Sequence, residues 1–324
     1  MYTLLEAQNL VEKHIQTLSI PDTPPELYEP VRYILSLGGK RIRPALVILA
    51  CDLFEGDVAS ALIPAVAIEV FHNFTLLHDD IMDRSAIRRG HPTVHVKYNE
   101  NVAILSGDVM SILASRLMNQ APGVVLNLVH EVFTKTAMQV CEGQQMDMNF
   151  EELLTVSEEE YLSMIGLKTA VLIAASLKIG AILGGSSQKD AEDLYDFGRN
   201  LGLAFQLQDD LLDTYGQQPL TGKKPGTDIV DNKKTFLMIR ALEKASPSQK
   251  EKLTGWLTRK EFDPEEKIKA VTAIFDTLKI RELTEKRILD FYKEALASLE
   301  RLNRPGERKS ELFNFASFLR TRNR

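Results

Sequence analysis

Apolar residues recur along this chain at intervals of three and four almost from end to end. Leu4, Ala7, Val11, Ile15 and Leu18 mark the first such stripe, the pattern of an amphipathic helix. A proline-rich break, Pro21-Asp22-Thr23-Pro24-Pro25, ends it. Longer helical stretches follow at roughly 58–83, 100–119, 124–149, 158–183 and 188–215. Sustained alternation of apolar and polar residues is missing, and no Asn-Gly pair marks a hairpin. The stretch from Val124 to Met148 is apolar around most of its circumference, which implies cover on several sides. The expected fold is all-α: a single domain over 1–324, with eleven to thirteen helices around a central cavity.

The chain has 324 residues, enough for an ample core, with 44% hydrophobic and 26% charged residues. A net charge of −6 offers no broad basic surface, which argues against a nucleic-acid partner. Two cysteines make no disulfide framework, so a reducing cytoplasmic setting is expected. The N-terminal residues do not read as a signal peptide, and no run of 18 uninterrupted apolar residues occurs, so no membrane span is expected.

Two acidic clusters stand out against this background. Asp79-Asp80-Ile81-Met82-Asp83 and Asp209-Asp210-Leu211-Leu212-Asp213 are both DDxxD, and each ends an apolar helical stretch. Residues four apart share a helix face, so Asp79 pairs with Asp83 and Asp209 with Asp213. Carboxylates gathered beside apolar sequence call for a cation. Carboxylate oxygen suits Mg²⁺, which is commonly held by one or two carboxylates plus waters and phosphates.

Cations cluster where the helical pattern breaks. They occur in Gly38-Gly39-Lys40-Arg41-Ile42-Arg43-Pro44, Arg88-Arg89-Gly90, Lys168-Thr169, Gly222-Lys223-Lys224-Pro225-Gly226-Thr227-Asp228 and Lys233-Lys234-Thr235. Arginine offers phosphate a planar fork, and lysine a mobile point charge. Each feature alone has a plainer explanation. A single DDxxD is commonly a solvated patch, Lys168 could snorkel from a buried helix, and a lone His72 is commonly a satisfied core group. Two identical acidic motifs, each trailed by a basic glycine-containing loop (84–93 and 214–232), outweigh those explanations together.

The ordered motifs GGKRIRP, HNFTLLHDDIMD, RRGHPT, GQQMD, KTA, FQLQDDLLD and GKKPGTD, over about residues 30–240, resemble the trans-isoprenyl diphosphate synthases (polyprenyl synthetases). That resemblance implies an all-α fold whose two Asp motifs face each other across a cavity mouth, a homodimer, and about three Mg²⁺ ions per active site. Asp79, Asp80 and Asp83 would bind two ions and Asp209 a third, with Asp210 and Asp213 in support through water. Arg88, Lys168, Lys223 and Lys233 would grip an allylic diphosphate (dimethylallyl, geranyl or farnesyl). Lys40, Arg43, His72 and Arg89 would grip isopentenyl diphosphate. Thr169 and Gln206 would lie over the reacting carbons. Phe318-Leu319-Arg320-Thr321-Arg322 resembles the closing segment, with Arg322 at its basic position. His91, Thr227 and Leu237 depart from the family pattern.

The implied reaction is head-to-tail prenyl transfer. Phe74 beside the small Thr75, before the first Asp, resembles the geranylgeranyl (C20) pattern, with farnesyl (C15) next. Helix geometry puts Phe74 about 140° from Asp79, with Thr75 and Phe71 nearer its side, so Phe71 is a second candidate floor for the tail pocket. The alternatives are a terpene cyclase-like diphosphate lyase and a non-catalytic subunit of a heteromeric synthase. The second DDxxD disfavours the first, and six intact aspartates disfavour the second. A di-iron bundle would want two Glu-x-x-His motifs, whereas the sequence has one, Glu69-Val70-Phe71-His72.

Overall fold

The computed structural model describes residues 1–216 and 225–321. Helices dominate: α1 (Leu4–Gln16), α2 (Pro25–Ser36), α3 (Ile42–Leu53), α4 (Val58–Met82), α5 (Val94–Lys97), α6 (Glu100–Met118), α7 (Leu126–Glu152) and α8 (Glu158–Leu183). They continue as α9 (Gln188–Tyr215), α10 (Thr227–Val230), α11 (Phe236–Lys244), α12 (Pro247–Thr258), α13 (Pro264–Thr277), α14 (Ile280–Arg301) and α15 (Gly306–Thr321). Fifteen helices among the described residues exceed the expected eleven to thirteen because one-turn pieces such as α5 and α10 leave no periodic trace.

Local chemistry sets the helix starts. Thr3 with Glu6 and Ser157 with Glu160 form capping boxes at α1 and α8. Asp57, Asn99 and Asp263 cap α4, α6 and α13 through their side-chain oxygens. The described strands are β1 (Ile87–Arg88) and β2 (His91–Pro92), an antiparallel pair inside the stretch expected to be plain loop. Arg89 (φ 54°) and Gly90 (φ 78°) supply the two consecutive left-handed residues that a tight hairpin turn needs.

The chain forms two compact units. The first comprises Met1–Lys135, Ala175–Tyr195 and Leu302–Leu312, and the second Thr136–Ala174, Asp196–Arg301 and Phe313–Arg324. In the first, α4 packs against α3 and α6, burying Leu46, Ile48, Ile68, Phe71 and Met110. In the second, one core cluster gathers Tyr161, Ile165, Leu203, Leu207 and Phe291, and another Leu211, Leu237, Leu253, Val271 and Phe275. By length and mean hydropathy, Val58–Met82, Glu100–Met118 and Glu158–Leu183 are each long and apolar enough to cross a membrane. The sequence criterion of uninterrupted apolar runs passed over them because scattered polar residues break the runs. Most of the apolar window of the first and third is buried within the protein.

Candidate active site

In the first unit, the last turn of α4 carries Asp79 and Asp80, and Asp83 caps it. Asp80 is only 2% exposed. Arg88, carried by β1, closes on it, with Nε 3.0 and 3.2 Å from the two carboxylate oxygens and Nη2 2.5 Å from Oδ1. Burial lifts the Asp80 carboxyl above the usual carboxylate range, against the pull of Arg88. Asp79 is half-buried and Asp83 exposed.

The cations expected to hold isopentenyl diphosphate lie on the same unit. Arg43 Nη1 stands 3.2 Å from His72 Nε2. A guanidinium can only donate, so that ring nitrogen accepts and the imidazole is neutral. Burial, followed by the positive charges of Arg43, Arg89, Arg88 and Arg41, holds the His72 pKa well below its ordinary value. Arg89 donates to the Gly38 carbonyl oxygen and, at 3.4 Å, to Asn73 Oδ1. Gly39 lies against the Arg89 guanidinium with φ +146°, a backbone conformation that residues with a side chain rarely adopt, so this loop favours its glycine. Lys40 stands exposed on the same loop.

Arg41 behaves differently from its neighbours. It is 3% exposed and donates to Glu69 at 2.6 Å, to Glu12 at 2.8 Å and to the Leu35 carbonyl oxygen at 2.9 Å. Of the three charges in GGKRIR, the middle one is a buried strut. Asn73 extends the strut by donating to Glu69 Oε1 at 3.0 Å. On α4, Phe71 is buried, with its ring centroid 5.5 Å from both Phe74 and Phe133. Phe74 also packs on His78 at 4.8 Å, and the Thr75 hydroxyl donates to the His72 carbonyl oxygen at 2.8 Å.

In the second unit, α9 carries the other cluster. Asp210 is buried and accepts from the Tyr161 hydroxyl, from Gln206 Nε2 at 3.4 Å and from the Phe236 amide at 3.4 Å. Burial pushes its carboxyl up to about 7 despite those donors. Asp213 Oδ2 accepts from the Asp228 amide at 2.9 Å. Asp209 is half-buried beside them. Thr169 Oγ1 donates to Gln206 Oε1 at 3.1 Å, so Thr169, Gln206 and Asp210 form one hydrogen-bonded row. Lys168 pairs with Asp147 at 2.8 Å and Lys233 with Glu151 at 2.7 Å.

Lys168 and Thr169 sit in a π-helical turn, Gly166–Ala170, inside α8. Such turns are rare, and many of them mark functional sites. Glycines on either side let neighbouring helices crowd onto it. A Cβ at Gly143 would fall 2.3 Å from the Lys168 amide nitrogen, and one at Gly202 would fall 2.6 Å from Ala170.

Asp147, Glu151, Tyr161 and Asn73 hold expected site residues in place, yet sequence reasoning gave them no role. For Asp147 a signal existed: in GQQMD it lies one turn after Gly143, on the face that meets Lys168. Tyr161 left none, because its partner is 49 residues away. Lys223 and Arg322 fall outside the described residues. Among the described residues no three His, Cys, Asp or Glu side chains converge on one metal position. The donors fit Mg²⁺ on other grounds. They are hard carboxylate oxygens, too few for a full shell, which suits an ion that keeps waters and phosphates as its remaining ligands.

The family model for polyprenyl synthetase matches residues 24–275, a span that includes both clusters and Lys233. This chain belongs to the polyprenyl synthetase family. Among its relatives, the geranylgeranyl diphosphate synthase of Methanosarcina mazei is 45% identical over 236 residues, covering 72% of this chain and 73% of that one. The short chain isoprenyl diphosphate synthase of Methanothermobacter thermautotrophicus is 38% identical, covering 95% and 96% respectively. A solved geranylgeranyl pyrophosphate synthase matches at TM-score 0.95 with 40% identity, covering 100% of both chains. The family match stops at 275, so the segment around Phe318–Arg322 is compared only through these longer alignments.

Proposed function

We propose that this protein is a short-chain prenyltransferase, joining isopentenyl diphosphate head-to-tail to an allylic diphosphate, with the C20 product favoured. The observation that carries this is the pair of DDxxD clusters, each built into its unit by specific hydrogen bonds and each accompanied by cations suited to phosphate. A cyclase would not need the second cluster, nor the Lys40, Arg43 and Arg89 group.

The first unit supplies Asp79, Asp80, Asp83 and Arg88 for a diphosphate, and Lys40, Arg43, His72 and Arg89 for isopentenyl diphosphate. The second supplies Asp209, Lys168 and Lys233, with Asp210 and Asp213 in support. Mg²⁺ held by the aspartates would lend Lewis acidity to the leaving pyrophosphate. Arg88, Lys168 and Lys233 stabilise the charge that this group gains as the allylic C–O bond breaks. The double bond of isopentenyl diphosphate then attacks the allylic carbon, and the departing pyrophosphate takes the released proton. The Thr169 hydroxyl and the Gln206 amide, already bonded to each other at 3.1 Å, present fixed dipoles to the developing cation. Arg88 and Lys168 sit on carboxylates, so substrate phosphate must exchange with Asp80 and Asp147.

A homodimer in the cytoplasm completes the proposal. Its supports are the exposed Leu105, Ile112 and Leu128 and the two unpaired cysteines. The test is a steady-state assay with radiolabelled isopentenyl diphosphate and each allylic primer in turn. Asp79→Ala and Asp209→Ala should each lower turnover about 100-fold or more with helical content intact. Near-normal turnover in both would overturn the assignment.

A further inference from the structure

Lys267, on α13, is fully buried, and prenyl transfer as set out above makes no use of it. Its ammonium donates to the Val230 carbonyl oxygen at 2.9 Å and to Asn232 Oδ1 at 2.7 Å, and it lies 4.3 Å from the centroid of the Phe262 ring. Burying an ammonium costs stability unless it is well bonded. These partners are two oxygens of one short stretch, the end of α10 and the residue pair after it. Ile268, the next residue, packs on the start of that stretch. A Cβ at Gly226 (φ +86°) would meet the Ile268 side chain at 2.7 Å. Two consecutive residues of α13 therefore pin both ends of 226–232.

That stretch in turn holds the second acidic cluster through its backbone. The Gly226 amide donates to the Asp213 carbonyl oxygen at 2.6 Å, and the Asp228 amide to Asp213 Oδ2 at 2.9 Å. The Lys233 amide donates to the Asp228 carbonyl oxygen at 2.9 Å, fixing the base of the side chain that reaches Glu151. Three residues on, the Phe236 amide meets Asp210 Oδ2. We propose that Lys267 is a positioning residue: acting through the backbone of 226–236, it fixes the orientation of the Asp210 and Asp213 carboxylates and the placement of Lys233. It touches neither substrate nor metal. Its effect is transmitted as outer partners of a metal site transmit theirs, by orienting the groups that bind.

Two variants test this. Lys267→Met keeps the side-chain length and removes the donors. Asn232→Gly removes one acceptor while keeping the left-handed backbone (φ 58°) available. The first readout is hydrogen–deuterium exchange of the metal-free protein. Amides 226–236 should lose protection in both variants while α9 keeps its own. The second, which rests on the prenyl-transfer proposal, is kinetic. The Mg²⁺ concentration for half-maximal rate should rise and kcat should fall, by about 10- to 100-fold for Lys267→Met. The KM for isopentenyl diphosphate should stay unchanged, and Lys267→Gln, which retains a donor, should recover part of the loss. A folded Lys267→Met with unaltered protection at 226–236 would overturn the positioning role, as would unaltered Mg²⁺ dependence in a variant that has lost that protection. If the wild type itself forms no prenyl product, the functional proposal fails, and the exchange measurement still decides whether Lys267 holds the segment.

Discussion

At His72 a neutral imidazole sits among four arginines and accepts a hydrogen bond from one of them. The folded chain resists protonating this ring, whereas an unfolded histidine takes a proton near pH ~6.5. As the pH falls through that value the unfolded state binds the proton first, so stability falls with it. The wild type should therefore lose more melting temperature than His72→Gln when the pH drops from about 7.5 to about 5.5. Equal losses would mean that the folded ring protonates freely. A second residue-scale expectation concerns product length. Phe74 is wedged between Phe71 and His78, and Phe71 against Phe133. Phe74→Ala should lengthen the product seen by thin-layer chromatography of the hydrolysed prenols. If only Phe71→Ala lengthens it, the deeper ring is the floor.

Among the elements, the π turn in α8 shows how a local irregularity aims a functional side chain. Gly143 and Gly202 allow other helices within contact of its backbone. Gly143→Ala would ordinarily favour a helix by about 1 kcal/mol. Here the added methyl would overlap the Lys168 amide, so the variant should melt lower than the wild type and bind inorganic pyrophosphate more weakly. Thermal melts and calorimetry would check both. Long helices were legible because burial imposes their period on the sequence: 58–83 and 188–215 were expected, against Val58–Met82 and Gln188–Tyr215 observed. The hairpin of β1 and β2 was not, because its turn has no Asn-Gly and Arg89 itself adopts the left-handed conformation. The π turn left no trace, since one extra residue in a mostly buried helix with apolar residues on several sides breaks no visible pattern.

For the molecule as a whole, exposed apolar side chains concentrate on α6 and the start of α7, where Leu105, Ile112 and Leu128 are each more than half exposed. In a homodimer these should be covered. Light scattering should give twice the 36.4 kDa chain mass for the wild type, and Ile112→Lys with Leu128→Lys should shift it toward the single-chain mass. The acidic clusters were legible at this scale because DDxxD is a local pattern that repeats. The pairings that hold them, such as Tyr161 with Asp210 and Arg41 with Glu69, join distant positions and left no local pattern. The Arg41 strut has its own consequence for ligand capture. Segments from α1, α2 and α4 all grip Arg41, at the junction between Lys40 on the loop and Arg43 in the first turn of α3. A clasp riveted at its centre before any guest arrives has little freedom left to surrender, so affinity there is spared much of the ordering entropy that a slack loop would forfeit.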